Sequence, residues 1–176
     1  ITEQKAPNGW EYNGNGALMR SSAIVPFYLN RTDEALEEAS SLSASVTHAH
    51  TVSLFTNMVY TKILKQLIFN TDILTAIKQT EDAYKDLIDD ISPLFEPPAK
   101  YSTSGYAVST LQSALWINEE SKNFEEALLK AVNFGGDSDT VGAVTGAIAG
   151  ALYGYEAIPE RWIKFLDKPV FVNFLE

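Results

Sequence analysis

Gly142, Gly146, Gly150 and Gly154 recur at every fourth position through Val141-Gly142-Ala143-Val144-Thr145-Gly146-Ala147-Ile148-Ala149-Gly150-Ala151-Leu152-Tyr153-Gly154. Residues four apart share one face of a helix. Glycine there is ~1 kcal/mol less favourable than alanine at each position, so the stripe needs a compensating contact. Small-residue stripes can pair helices inside a membrane, but this apolar run falls short of the ~20 residues that span a bilayer. The pattern instead predicts a central buried helix over 139–154, with Gly142, Gly146 and Gly150 turned toward closely packed neighbours.

The rest of the chain fits around such a helix. Apolar residues recur at three- and four-residue spacing almost throughout and strand-type alternation is scarce, so the expected fold is all-α. Helices are expected near 16–28, 33–45, 48–69, 72–89, 105–120, 124–133, 139–154 and 160–166. Thr32 ahead of Asp33 and Glu34 reads as a helix start, Asn123 with Glu126 as a variant capping box, and Pro159 as a first helical residue. Ser92 to Ser104, with Pro93, Pro97 and Pro98, is the clear loop. A length of 176 residues suits one domain spanning 1–176. The apolar stretch from Lys168 to Glu176 is expected to be tied down on the body, extended.

Composition narrows the functional classes. With 13 basic and 23 acidic side chains the net charge is −10, which disfavours broad electrostatic binding to nucleic acid or an anionic membrane. There is no cysteine, so disulfides, zinc-thiolate sites and thiol nucleophiles are excluded. No segment reads as a membrane span or signal peptide, and the cytoplasm is the expected compartment. The sequence starts at Ile1 and runs directly into a glycine loop, so the chain is expected to be the C-terminal portion of a longer protein.

Three segments carry candidate chemistry. Just ahead of the glycine stripe, Asn133-Phe134-Gly135-Gly136-Asp137-Ser138-Asp139-Thr140 places two carboxylates and a hydroxyl at a helix start. Asp137 could simply cap the helix, with Asp139 in its first turn. A hard cation such as Mg2+ would use both carboxylates and the Thr140 hydroxyl. Near the start, Tyr12-Asn13-Gly14-Asn15-Gly16-Ala17-Leu18-Met19-Arg20 is either an ordinary turn and helix cap or a loop whose backbone N–H groups converge on an anion. His48 and His50 stand two apart at an expected helix start, so they do not form a paired metal site. Thr47 is a candidate cap there, and His48 reads either as a pocket-wall contact or as a structural hydrogen-bonding residue.

The order and wording of four stretches resemble the ADP-ribosylglycohydrolase family, and within it the dinitrogenase reductase-activating group. The stretches are Gly14 to Arg20, Ser45-Val46-Thr47-His48, Gly105 to Trp116, and Phe124 through the Asn133 to Thr140 block to Gly154. The resemblance implies an all-helical fold whose pocket holds ADP-ribose over a pair of Mg2+ ions, with Mn2+ as a possible replacement. It implies that Asp137, Asp139 and Thr140 are metal ligands, with Asp139 and Asp137 as catalytic carboxylates. Asn13, Gly14, Asn15 and Gly16 match the loop around the phosphates and ribose, and His48 matches a residue lining the ADP-ribose site. Trp10, Tyr12 or Tyr106 could stack on adenine, or each could be ordinary core or surface packing. The implied partners are ADP-ribose or an ADP-ribosylated protein, and the N-terminal half of the same protein.

Two departures stand out. Family members carry an upstream acidic residue and a Thr-Asp-Asp metal motif, and nothing before Trp10 supplies them. Thr32-Asp33-Glu34 follows the glycine loop instead of preceding it, so it does not take that role. Ser109 also stands where relatives often have an acidic residue. The expected activity is Mg2+-dependent hydrolysis of the glycosidic bond of ADP-ribosylated substrates. A catalytically inactive ADP-ribose or nucleotide-binding relative and a helical interaction domain are the alternatives.

Overall fold

The computed structural model describes residues 8–165 except Lys85 and Ile88, so the expected C-terminal extension lies outside the described residues. The described chain is helical: α1 (Leu18–Ser21), α2 (Val25–Tyr28), α3 (Asp33–Ser45), α4 (Thr51–Ile68), α5 (Ile73–Tyr84), α6 (Ala107–Glu119), α7 (Phe124–Asn133), α8 (Ser138–Tyr153) and α9 (Glu160–Ile163). Short 3-10 turns lie at Trp10–Tyr12, Ser22–Ile24, Asp89–Phe95 and Tyr155–Ala157.

Helix α8 lies at the centre, in contact with α1, α4, α6 and α7. Its two sides serve two cores. Val144 and Ile148 join Val59, Tyr60 and Ile63 of α4 and Leu111 and Leu115 of α6. Val141 and Ala149 join Ile117 of α6 and Phe124, Ala127 and Ala131 of α7. The glycine stripe is less uniform than its spacing suggests. A Cβ on Gly142 would sit 3.0 Å from Val132 Cγ1 of α7, and one on Gly146 would make ordinary contact at 3.5 Å from Leu128 Cδ1. Among the described residues a Cβ on Gly150 meets nothing within 4 Å, so close packing of that glycine is not observed. Gly154 ends the helix at φ 77°, a conformation glycine adopts without penalty.

Several boundaries differ from the sequence reading for local reasons. The expected helix over 16–28 is broken at Ser22–Ile24, because Pro26 has no N–H to give the Ser22 carbonyl. The expected helix over 48–69 starts at Thr51, and its cap is His50, whose Nδ1 accepts from Val52 N at 3.3 Å, not Thr47. The expected helix over 72–89 stops at Tyr84, and a 3-10 turn over Asp89–Phe95 takes up the start of the proline loop. Pro159 is the cap of α9 instead of its first residue. Thr32 caps α3 as expected, accepting from Ala35 N. Asn123 caps α7 through Glu126 N at 2.9 Å, while Glu126 reaches back one residue further, to Lys122 N.

Candidate active site

The loop Thr103 to Ala107, leading into α6, is the hub of the site. On one side it pairs with the first glycine loop: Asn15 N donates to Gly105 O at 2.8 Å and Ala107 N to Asn13 O at 3.0 Å, forming an isolated antiparallel bridge between Gly14 and Tyr106. On the other side it receives the acidic turn, where Asp137 N donates to Thr103 O at 3.0 Å. That turn closes through Gly135 and Gly136, at φ 73° and 64°, and a Cβ on Gly136 would lie 2.4 Å from Thr103 Oγ1. Both a left-handed backbone and a close approach therefore require glycine at 136.

These contacts bring segments from opposite ends of the sequence into one corner. Asn15 Nδ2 donates to Asp137 Oδ2 at 2.6 Å across 122 residues, and also to Thr110 Oγ1 at 3.0 Å. The Asn15 bond, followed by the Thr140 hydroxyl and the adjacent Asp139 carboxyl, holds the Asp137 carboxyl below the usual range against the opposing effect of burial. Thr140 is buried and Asp139 is exposed at the start of α8. Asp137 occupies the cap position of α8, yet its side chain accepts no capping bond from the helix. The simple capping explanation therefore does not account for this carboxylate. The N-terminal ends of α6 and α8 meet here, and their positive dipole ends offset the two negative charges.

His48 lies in the turn before α4, beside the first glycine loop. Its Nε2 would be 3.2 Å from a Cβ on Gly14, and its Cε1 3.2 Å from a Cβ on Gly16. Neither glycine has positive φ, so their small size serves the imidazole, not a special backbone conformation. Thr47 Oγ1 accepts from Arg20 Nη2 at 2.7 Å and pairs with His48 Nδ1 at 2.8 Å. A hydroxyl that accepts from Arg20 keeps its own proton to donate to Nδ1 and a second lone pair to accept from it, so either ring tautomer satisfies this pair. Burial, then the Arg20 charge, pushes the imidazole below its ordinary pKa of 6.5. Arg20 also holds Gly16 O at 3.0 Å and Ser43 O at 3.1 Å, fixing the loop to α3.

Of the aromatic candidates, Trp10 is 58% exposed and stands 6.1 Å, centroid to centroid, from Tyr106, with its other contact the edge of the His50 ring. Tyr12 is exposed. Asn13 is buried, with Nδ2 bonded to Trp10 O and Oδ1 without a partner among the described residues. Ser109 hydrogen-bonds Ser104 Oγ at 2.9 Å, in a run of hydroxyls on the hub loop. Asp33, in the segment denied a metal role, is engaged elsewhere, by Lys65 at 2.9 Å and Lys62 at 3.3 Å. A hollow of about 630 Å³ on the outer side of α7, lined by residues such as Glu126, Leu129 and Phe134, includes none of the site residues.

Arg20, Thr47, Thr103 and Thr110 were not singled out by sequence reasoning as parts of the site. Arg20 carried a usable signal, since it stands four residues after Gly16 on a helical turn. Thr103 and Thr110 carried none, because their role depends on contacts to distant segments.

A family model described as ADP-ribosylglycohydrolase matches residues 2–175. This chain belongs to the ADP-ribosylglycohydrolase family. It is 31% identical over 157 residues to the ADP-ribosyl-(dinitrogen reductase) glycohydrolase of Rhodospirillum rubrum, covering 89% of this chain and 52% of that protein. A 68-residue stretch is 52% identical to the ADP-ribosylarginine hydrolase Tri1 of Serratia proteamaculans, covering 39% of this chain and 18% of that one. A solved structure titled ADP-ribosylglycohydrolase-related protein complex superposes with a TM-score of 0.82 at 35% identity, over 90% of this chain and 56% of that chain. The chain thus spans about half the length of the longer matches, and its all-α architecture is that of the ADP-ribosylglycohydrolase family.

The donor set of this family member can be tested against a divalent ion. Two carboxylates and a hydroxyl on one turn suit a hard cation. Among the described residues no group of three or more His, Asp or Glu side chains is placed to hold a metal ion, so the acidic turn fits one side of a coordination sphere and not a whole one.

Proposed function

We propose that this chain forms the ADP-ribose-binding corner and one half of a divalent-metal site in an ADP-ribosyl glycohydrolase. The reaction is hydrolysis of the bond between the anomeric carbon of the distal ribose and its acceptor, water supplying the new hydroxyl and the acceptor leaving with a proton. The observation that carries this reading is the direct bond between Asn15 of the glycine loop and Asp137 of the acidic turn.

In this reading Asp137, Asp139 and Thr140 hold Mg2+, or Mn2+ in its place, which when bound orients ribose hydroxyls and makes a water more acidic. The chain's own groups do the rest. The amides of Gly14 and Gly16 donate to no backbone acceptor among the described residues and offer N–H groups to the diphosphate. His48 adds its imidazole Nε2 beside them, and Trp10 offers an exposed face for adenine. Positive charge develops at the anomeric carbon as the bond breaks, and the exposed Asp139 carboxylate stabilises it and steers the attacking water.

A second reading, a binding module without catalysis, draws support from the incomplete acidic set among the described residues. Calorimetric titration with ADP-ribose, with and without Mg2+, tests binding. Release of ADP-ribose from a modified protein by the full-length form separates enzyme from module.

A further inference from the structure

Asn15 is 7% exposed and does not sit at positive φ, since Asn70 is the one non-glycine residue there among the described residues. Backbone geometry therefore does not explain an asparagine here. Its amide nitrogen has two hydrogens and two acceptors, Asp137 Oδ2 at 2.6 Å and Thr110 Oγ1 at 3.0 Å. Thr110 donates its own proton to Ser104 O at 3.2 Å, so towards Asn15 it can only accept. That fixes the amide orientation, with nitrogen and not oxygen facing the carboxylate. The Asn15 backbone N–H is also committed, to Gly105 O. None of the three N–H bonds of Asn15 is left for a phosphate. Its N–H groups are committed to contacts inside the protein.

Resting on the reading above, we infer that Asn15 is a positioning residue that couples the two halves of the site. It occupies one oxygen of Asp137 so that the other is presented to a cation, and ties that carboxylate to the two glycines that face the diphosphate. Ligand at the glycine loop restrains Asn15, and Asn15 restrains Asp137. Nucleoside diphosphate and divalent cation then strengthen each other's binding, by the same factor in each direction. Simple attraction between cation and diphosphate also couples them, and that part does not need Asn15.

The test is Mn2+ affinity, read by electron paramagnetic resonance of free Mn2+ in the full-length protein, with and without saturating ADP-ribose. Wild type should bind Mn2+ more tightly when ADP-ribose is present. Asn15→Leu, close to asparagine in size, should weaken Mn2+ binding roughly tenfold, the scale for losing a contact that orients a ligand, and shrink the ADP-ribose enhancement. If its melt loses cooperativity, Asn15→Ala, which adds no bulk and meets no φ strain, takes its place with the same expectation. A folded variant with unchanged Mn2+ affinity and unchanged enhancement overturns the coupling role while leaving the site reading intact. A wild type that binds neither ligand overturns both.

Discussion

The imidazole of His48 takes up the space that a side chain on Gly14 would need, its Nε2 3.2 Å from the Cβ position. The same ring lies equally close to the Cβ position of Gly16, so one histidine explains two glycines. Gly16→Ala should therefore cost about 1 kcal/mol in urea melts, the low end for inserted bulk. In a His48→Ala background the same change should be close to neutral, a coupling of the size found between touching residues. Equal costs in both backgrounds would show that the ring does not set the glycine requirement.

The same histidine makes stability depend on pH. Its folded pKa lies below the ordinary 6.5, through burial and then Arg20, so the unfolded chain takes up a proton first as pH falls. The contribution of the neutral ring is fully present above about pH 6.5 and declines as pH falls toward the folded value. Wild type should lose stability over that window, and His48→Gln should lose less. Parallel stability profiles for the two proteins between about pH 7.5 and 5, the range over which histidine titrates, would contradict this.

Along α8, Gly142 and Gly150 should respond oppositely to alanine. A Cβ at 142 meets Val132 Cγ1 at 3.0 Å, and one at 150 meets no described atom within 4 Å. Gly150→Ala should stabilise by about 0.4–1 kcal/mol through helix propensity and unfolded-state entropy. Gly142→Ala should lose that gain to the clash with α7 or become destabilising. Denaturant midpoints that move up together would show that the stripe is not selected by packing against α7.

These differences mark where sequence reasoning stops. Periodicity was enough for the helices, because amphipathic spacing is a local property, and for the central place of α8, because four glycines demanded a packing explanation. It overestimated Gly150, since spacing locates a face but not what lies opposite. The break before Pro26 was legible in hindsight from the missing N–H alone. The corner formed by Asn15, Thr110 and Asp137 was not, because a bond across 122 residues leaves no local trace, and the resemblance supplied the neighbourhood without the contact. The role of His48 against Gly14 and Gly16 was hidden for the same reason: a glycine before a helix has the same sequence signature whether it admits a phosphate or a ring.

The acidic turn is the centre of the account, and the full-length protein tests it through ADP-ribose released from a modified protein. Asp139→Asn should abolish release while preserving the helical circular dichroism spectrum, because a neutral amide can still sit at a helix start but serves poorly as a cation ligand. Excess EDTA should abolish wild-type release, and added Mg2+ should restore it. Release that persists in EDTA, or that Asp139→Asn leaves undiminished, would contradict the metal site and return Asp137 and Asp139 to the ordinary work of a helix N-terminus.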